Sequence, residues 1–449
     1  MKETDIRVVD IRAEFTEETL RFPLTLSSGE ITDITYAGVR IMVENRKGSS
    51  AEGFGGILLS DLWAFPEPSV DHMTKDQLMR RFVLRWRELL LAECQYADAV
   101  QLAHRVEAGM PDLLREIRNE FGLQVDVPRL AGLVAWSPFD AALHDGWAKA
   151  AGRSAYAMYT QEFLNDDLGH YLGPEYSGSY PGDFLQAPKA SLWVQHVVGV
   201  KDPLTPGEVS SDMVRDELPV ALTDWIHRDR IRWLKLKIKG ADIADDLERI
   251  LEVYRVSTET AEACWFKEPI VYAVDPNEGF TSPEPLVELL RKLRERSPLT
   301  YKALQYIEQP TPRQLFGDPN SLRDISNLKP LLADESLDDL AALSQLKRNG
   351  WNGVALKTCK GHTHALLTYC WAKRNNLYIT VQDLTNIGIS LVHSVGLSSR
   401  LKLAWDCSET NSRQYLPFSQ PMVQEKYPEL FISRDGQLIV SDLRGPGLY

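Results

Sequence analysis

Three apolar runs that each end in an acid constrain this chain more than any other feature in it. They read VYAVDPN (271–277), QYIEQP (305–310) and PLLADES (330–336), and they deliver Asp275, Glu308 and Asp334, the last followed by Glu335. A strand buried along its length is apolar on both faces and tolerates a polar side chain where it emerges at its C-terminal end. Upstream, WLKLKIKG (233–240) sets Lys235, Lys237 and Lys239 at alternate positions, and so on one face of a strand. Downstream, GVALKTCK (353–360) ends a similar run with Lys357. The five runs recur at intervals of about 23 to 38 residues, room for a strand and a crossover helix each time. Successive parallel strands of a (β/α) barrel bring their C-terminal ends to one face, where active sites sit.

The order Lys-x-Lys, Asp-x-Asn, Glu-x-Pro, Asp-Glu-Ser, Lys resembles the enolase superfamily, most of all its muconate lactonizing enzyme branch, with mandelate racemase as a cousin. None of these motifs is specific alone; five in this order on strand ends are. The resemblance covers residues 130–449 well and the N-terminal part weakly. It implies an α/β fold: a TIM-like (β/α) barrel of the modified enolase type, preceded by an α+β capping domain. The expected division is 1–130 for the cap, completed by part of the tail from about 415 to 449, and 131–414 for the barrel.

The chain has 449 residues, 44% of them hydrophobic and 25% charged, which suits a globular protein with a large core. Its net charge of −13 argues against partners that need a basic face, namely nucleic acid and anionic membranes. Five cysteines (Cys94, Cys264, Cys359, Cys370 and Cys407) lack C-x-x-C spacing and point to free thiols in a reducing, cytoplasmic setting. The start, MKETDIRVVDI, is charged and strand-like rather than a signal peptide, and no apolar run is long enough to span a membrane.

Along the chain, residues 6–15, 31–44 and 56–59 read as strands and 74–121 as helix. Segment 22–33 stands where the resembled family keeps a mobile loop that closes over substrate; from the residues alone it is a solvated hairpin loop. Ser137 and Pro138 look like a helix start, with Asp140 and Asp145 as caps or surface acids. Residues 157–190 read as a long irregular loop. Further strands are expected at 191–200, where His196 is a core histidine, and at 378–383 and 402–407, for a total of eight. Residues 260–270 look inserted relative to the resembled family, and 435–449 read as a hairpin and a Pro-Gly-rich end that folds back on the cap.

Three carboxylates converging at one barrel mouth repel one another unless a cation lies between them. Oxygen-only ligands favour Mg2+, with Mn2+ second. Asp275, Glu308 and Asp334 are the expected ligands. Glu335 points to the other side of its strand and is an outer partner or the alternative third ligand. Asn277 shares a face with Asp275 and is placed to orient substrate or a metal-bound water. Acids that merely cap helices would not all follow apolar runs at regular intervals.

Lysines inside a barrel are costly because burial disfavours their charge; close to a metal and to each other they release a proton more easily and can act as bases. Lys239, nearest the end of its run, is the expected base with Lys237 as its electrostatic neighbour, and Lys235 with Lys237 is the other possible pair. Lys357 arrives from the opposite side of the acids. The resemblance implies a magnesium-dependent enzyme that abstracts the α-proton of a small carboxylate substrate to give a metal-stabilised enediolate. Two opposed lysines permit racemisation or epimerisation; one base facing a cationic lysine permits cycloisomerisation or elimination. An acid-sugar dehydratase would use the same residues. A relative that binds metal or carboxylate without turnover is the non-enzymatic alternative, and retention of both lysines with all three acids speaks against it. Gln382, Asp383, Asn386 and Glu409, at the last two strand ends, are expected to contact substrate. Asp383 stands where mandelate racemase keeps a histidine base, which argues against a mandelate-type mechanism. His362 and His364 read as the start of a helix, and Arg413 as an exposed loop residue or a holder of a second substrate carboxylate. Relatives form homo-oligomers, and the same is expected here by analogy.

Overall fold

The computed structural model describes residues 1–449 except 27–28, 211–212, 214–215, 265, 315–321, 441–442 and 444, and except the side chains of 25, 26 and 29. Strands β1 (Ile6–Leu26), β2 (Gly29–Asn45) and β3 (Ser50–Leu58) form an antiparallel sheet in that order. β1 and β2 pair from Ile6 with Asn45 to Leu26 with Gly29, a longer arm than the strands expected at 6–15 and 31–44. Pro23, which has no N–H to donate, falls where the ladder shifts register between Thr19 and Leu24. The loop expected at 22–33 is therefore strand on both flanks, and its tip at 27–28 lies outside the described residues. Arg21 fastens this arm to the barrel: Nε and Nη2 donate to the two oxygens of Asp216 at 2.7 and 2.6 Å, and Nη1 donates to the Gln414 carbonyl at 3.0 Å.

After the sheet come α1 (Asp61–Ala64), α2 (His72–Ala92), α3 (Ala99–Glu107) and α4 (Met110–Glu120). The helical pattern over 74–121 breaks where Asp98 caps a new helix by accepting from Gln101 N, and again where Gly109 and Pro111 open α4. Helix α5 (Arg129–Ala150) starts at Pro128, not at Ser137. Ser137 turns inward, its hydroxyl donating to the Val134 carbonyl at 2.9 Å, and Pro138 is inside the helix. α5 is buried almost all round, so no polar face marks where it begins. The boundary expected at 130/131 falls in its first turn.

β3 lies on α5 without intervening side chains. A Cβ added to Gly53 would stand 1.9 Å from the Ala142 carbonyl oxygen, and one on Gly55 would stand 2.0 Å from that of Pro138. Asp145 ties three segments together, accepting from Phe54 N, Leu448 N and the Lys149 ammonium at 3.0, 3.0 and 2.6 Å. Asp140 accepts the backbone N–H and hydroxyl of Thr363 at 2.7 and 2.8 Å. Both acids are buried cross-links rather than surface groups. At the C-terminal end the Tyr449 hydroxyl donates to the Phe54 carbonyl of β3 at 2.6 Å.

The barrel strands are β4 (Ser191–Val198), β5 (Trp233–Lys237), β6 (Val271–Asp275), β7 (Leu304–Glu308), β8 (Leu331–Ala333), β9 (Gly353–Leu356), β10 (Tyr378–Val381) and β11 (Cys407–Glu409). They run parallel in the order β10-β9-β8-β7-β6-β5-β4-β11, and β12 (Gln437–Ile439) adds antiparallel to β4. The last strand begins at Cys407 rather than 402, because Ala404 N donates instead to the Ile379 carbonyl at 2.9 Å and Trp405 stacks on Tyr378. Those two contacts join the segment before β11 to β10, and among the described residues no ladder pairs the two strands. Ala273, Tyr306, Leu332 and Ala355 fill the interior below the mouth. The helix Ile243–Ala263 runs into the segment expected as an insertion, in which Trp265 is outside the described residues. All five cysteines are free, and no described helix is long and apolar enough to cross a membrane.

Candidate active site

Strand geometry delivers the lysines. β5 carries Lys235 and Lys237 on one face, both buried. The Lys235 ammonium lies within 2.8 Å of Glu308 Oε1, 2.9 Å of Glu409 Oε2, 3.0 Å of Asp275 Oδ2 and 3.1 Å of Gln382 Oε1. Lys237 donates to Asp275 Oδ2 at 2.6 Å and Asn277 Oδ1 at 2.7 Å. Lys239, expected as the base, is exposed and outside the site. The strand stops at Lys237 because Asp246 accepts the backbone N–H groups of Lys239 and Gly240, at 3.0 and 2.9 Å, and Gly240 turns the chain at φ 72°.

Asp275 ends β6, Glu308 ends β7, and Asp334 follows β8. Lys357, just past β9, pairs with Asp334 Oδ2 at 2.7 Å, and Lys360 pairs with Asp334 Oδ1 at 3.0 Å. Glu335 turns the other way, accepting from Trp63 Nε1 at 2.7 Å and Asn277 Nδ2 at 3.3 Å. Behind these groups Gln309, at φ 30°, accepts the N–H groups of Asp334 and Ser336 at 2.9 and 3.1 Å and so sets the turn that aims Asp334. Below them Gln382 donates to Tyr306 Oη at 2.9 Å and Gln195 Oε1 at 3.2 Å, which fixes its carbonyl toward Lys235.

The remaining expected residues are placed differently. Asp383 braces backbone, accepting from Leu384 N, Asn386 N and Asn411 N, and Asn386 is buried beside it. Among the described residues neither pairs with a lysine, whereas Gln382 and Glu409 both pair with Lys235. His362 opens the helix His362–Arg374 with His364 in its first turn. His196 is buried against Trp225 at 5.4 Å between ring centres, and burial pushes it down to about 3. Arg413 is buried and paired with Asp229, not exposed.

Three residues join the site from outside the sequence expectation: Trp63, Lys360 and Gln309. Trp63 comes from the cap, lays its ring 4.5 Å from the Lys357 ammonium, and lends its carbonyl to Arg313 Nη2 at 3.1 Å. Arg313 is itself paired with Glu278.

Buried carboxylates outnumber buried ammoniums here. Asp275, Glu308, Asp334, Glu335, Asp383 and Glu409 face Lys235, Lys237, Lys357 and Lys360, leaving two negative charges in excess if all are ionised. Burial alone would raise every one of these acids. For Asp275 the ammoniums of Lys237 and Lys235 outweigh burial, and for Asp334 those of Lys357 and Lys360 do, so both stay below the usual carboxylate range. Elsewhere burial wins: it pushes Glu308 up to about 8, Glu335 to about 7 and Asp383 to about 7. Lys235 and Lys357 are held charged despite burial, the first by Glu308 and Glu409 and the second by Asp334.

The donor set suits a hard divalent cation. All candidate ligand atoms are oxygens, and among the described residues Glu308 Oε2 and Glu335 Oε2 are buried without a hydrogen-bond partner. Among the described residues no three acids, histidines or cysteines stand together as a closed ligating group. The ammonium of Lys235 lies between Asp275 and Glu308, and those of Lys357 and Lys360 lie on Asp334.

Residues 218–448 match the family described as enolase C-terminal domain-like. The chain belongs to that family. None of the curated proteins matches the chain. Solved structures resemble the family member described here over nearly its whole length. A muconate lactonizing enzyme from Pseudomonas fluorescens, complexed with muconolactone, is 17% identical with a TM-score of 0.60, over 98% of this chain and 95% of that one. A dipeptide epimerase from Enterococcus faecalis V583, complexed with Mg and the dipeptide L-Leu-L-Tyr, is 14% identical with a TM-score of 0.61, over 98% and 99%. An enolase from Bradyrhizobium, complexed with magnesium and mandelic acid, is 14% identical with a TM-score of 0.61, over 99% and 95%. At such identities the likeness is one of fold.

Proposed function

We propose that this protein is a magnesium-dependent enzyme that removes and returns the α-proton of a small carboxylate substrate, as a racemase, epimerase or cycloisomerase. One observation carries this: two buried lysines, Lys237 and Lys357, reach the mouth from strands on either side of the three acid-bearing strands. The ligands in fold-related proteins, a dipeptide, mandelic acid and muconolactone, support a substrate with a carboxyl or lactone group.

Asp275, Glu308 and Asp334 would hold the cation, with Glu335 beside them. A bound divalent ion would supply positive charge next to the substrate carboxylate and weaken the hold of those acids on the lysine protons. The chain's own residues do the rest. Lys237, oriented by Asn277, takes the α-proton on Nζ from one face. Lys357, under the Trp63 ring, serves the other face. Lys235, held by two glutamates, stays a fixed cation beneath the reacting carbon and does not exchange protons. Trp63 and the buried aromatic and amide layer around Tyr306 and Gln382 keep bulk water from the lysines.

The test is solvent exchange. The protein is incubated with MgCl2 in D2O against acid sugars, N-acyl amino acids, dipeptides and muconate-type lactones, and masses are read. A gain of one mass unit identifies a racemase or epimerase. Loss of water identifies the acid-sugar dehydratase reaction. No change in any compound, with magnesium shown to bind, contradicts the proposal for those substrate classes.

A further inference from the structure

Arg413 has no part in the chemistry above, yet it is one of the most confined cations in the molecule. Its side chain is 8% exposed, its Nη2 pairs with Asp229, and its guanidinium lies 5.4 Å from the centre of the Trp225 ring. Among the described residues its Nη1 has no hydrogen-bond partner. A buried N–H group left unpaired costs free energy that a ligand acceptor would recover. The charges nearby do not balance either. Arg228 also leans on Asp229, at 3.6 Å, so among the described residues lining the site two guanidiniums share one carboxylate, a surplus of one positive charge.

Arg413, Arg228 and Asp229 all line a cavity of about 190 Å3 between the helix Leu222–Asp229, the residues after β11, and the tail segment 416–433. Its other walls mix apolar side chains, Trp225, Ile387 and Phe431 among them, with the polar Ser412, Gln424 and Ser433. Phe418 and Ile432 are 67% and 57% exposed and stand at the rim. An apolar cavity of roughly 150 Å3 admits a benzene ring. A pocket of this size with aromatic and aliphatic side chains on part of its wall, one unpaired guanidinium N–H and one surplus positive charge selects for a ring or short branched chain bearing a single negative charge. A dianion such as phosphate is disfavoured, since it would surrender more hydration than one N–H returns. Burial, with Arg228 adding to it, lowers Arg413 to about 10, as expected of a cation that lacks a full counter-charge.

We propose that this cavity is a second binding site, distinct from the lysine–carboxylate centre, for a small apolar monocarboxylate whose carboxylate accepts from Arg413 Nη1. It stands whether or not the proposed reaction is right, because no residue in it belongs to that centre.

The probe is benzoate, with benzamide as its neutral counterpart, titrated calorimetrically into the full chain without added metal. Benzoate is expected to saturate with a Kd of about 1 mM or tighter, and benzamide to bind at least about tenfold more weakly. Two variants locate the site. Arg413→Gln combined with Asp229→Asn removes both partners of the buried pair, so neither charge is left stranded. Ile432→Trp blocks the rim from a surface position that folding does not depend on. Both should abolish benzoate binding while retaining the wild-type far-ultraviolet circular dichroism. The proposal is overturned if benzoate fails to saturate by about 10 mM, if benzamide binds equally well, or if benzoate binding survives in Ile432→Trp.

Discussion

Among the described residues Lys235 is the one cation in contact with three buried carboxylates, Asp275, Glu308 and Glu409, so its removal is the sharpest probe of the centre. Lys235→Met keeps most of the stem volume and deletes the ammonium. Breaking a buried pair by removing one partner costs about 3 to 5 kcal/mol, because Glu308 and Glu409 are left buried without their counter-charge while Asp275 keeps Lys237. At about 2 °C per kcal/mol for a large domain, the metal-free variant should melt about 6 to 10 °C below wild type. Glu409→Gln is milder, since Lys235 keeps two carboxylates and one charge-assisted bond is lost, at about 1.5 to 3 kcal/mol. The double variant should lose less than the two single losses together by about 1 to 3 kcal/mol, as expected for groups that share one interaction. Circular dichroism melts with and without MgCl2 read all of this, and added magnesium should raise the melting temperature more in Lys235→Met than in wild type. A Lys235→Met melting temperature within about 1 °C of wild type would refute the reasoning, as would full additivity of the two losses.

Glu308→Gln should abolish magnesium binding, measured by calorimetry, with little loss of folding; wild-type affinity in that variant removes Glu308 from the ligand set. Lys357→Ala should stop deuterium exchange on one face of a turned-over substrate while magnesium still binds, and exchange persisting on both faces would exclude two opposed bases. His196 is lowered to about 3 by burial, so its neutral form is the folded one; its stabilising contribution is complete above about pH 6.5 and is lost as pH falls toward 3. Relative to His196→Leu, wild type should therefore lose about 1.4 kcal/mol per pH unit below about 6.5 in urea melts, and parallel stability curves for the two proteins would contradict this. Gly55→Ala would drive a Cβ to 2.0 Å from the Pro138 carbonyl oxygen and should destabilise by about 3 kcal/mol or more, read by the same melts.

The acid-bearing strand ends were legible because an apolar run followed by an acid is a local pattern. The lysine register was not. Alternation puts Lys235, Lys237 and Lys239 on one face but does not say where the strand stops, and that is decided by Asp246 capturing two backbone N–H groups from the next helix. Trp63 was invisible for a different reason: its partner Glu335 is 272 residues away and no local pattern links them. Gln309 and Lys360 sit inside motifs read for their neighbours, and only the turns they adopt show that one aims Asp334 and the other neutralises it. The start of α5 was misplaced because Ser137–Pro138 is a sound local helix signal, while the helix is buried so completely that periodicity could not overrule it. Asp140 and Asp145 look like surface acids because their partners, Thr363, Phe54 and Leu448, come from remote segments.

The glycine contact between β3 and α5 has a mechanical consequence. Where backbone presses on backbone there is no layer of side chains to re-pack, so the two elements cannot shear past one another. The cap sheet and the long helix behind it act as a single lever. Trp63, a few residues beyond the end of β3 and held by the Arg313 bond to its carbonyl, inherits that stiffness and meets Lys357 at a set distance. The outer arm of β1 and β2 is held separately, by the Arg21 bonds to Asp216 and Gln414, by Ser419 donating to Glu18, and by packing of Leu20, Leu24 and Ile31 against Ile387, Tyr415 and Leu416.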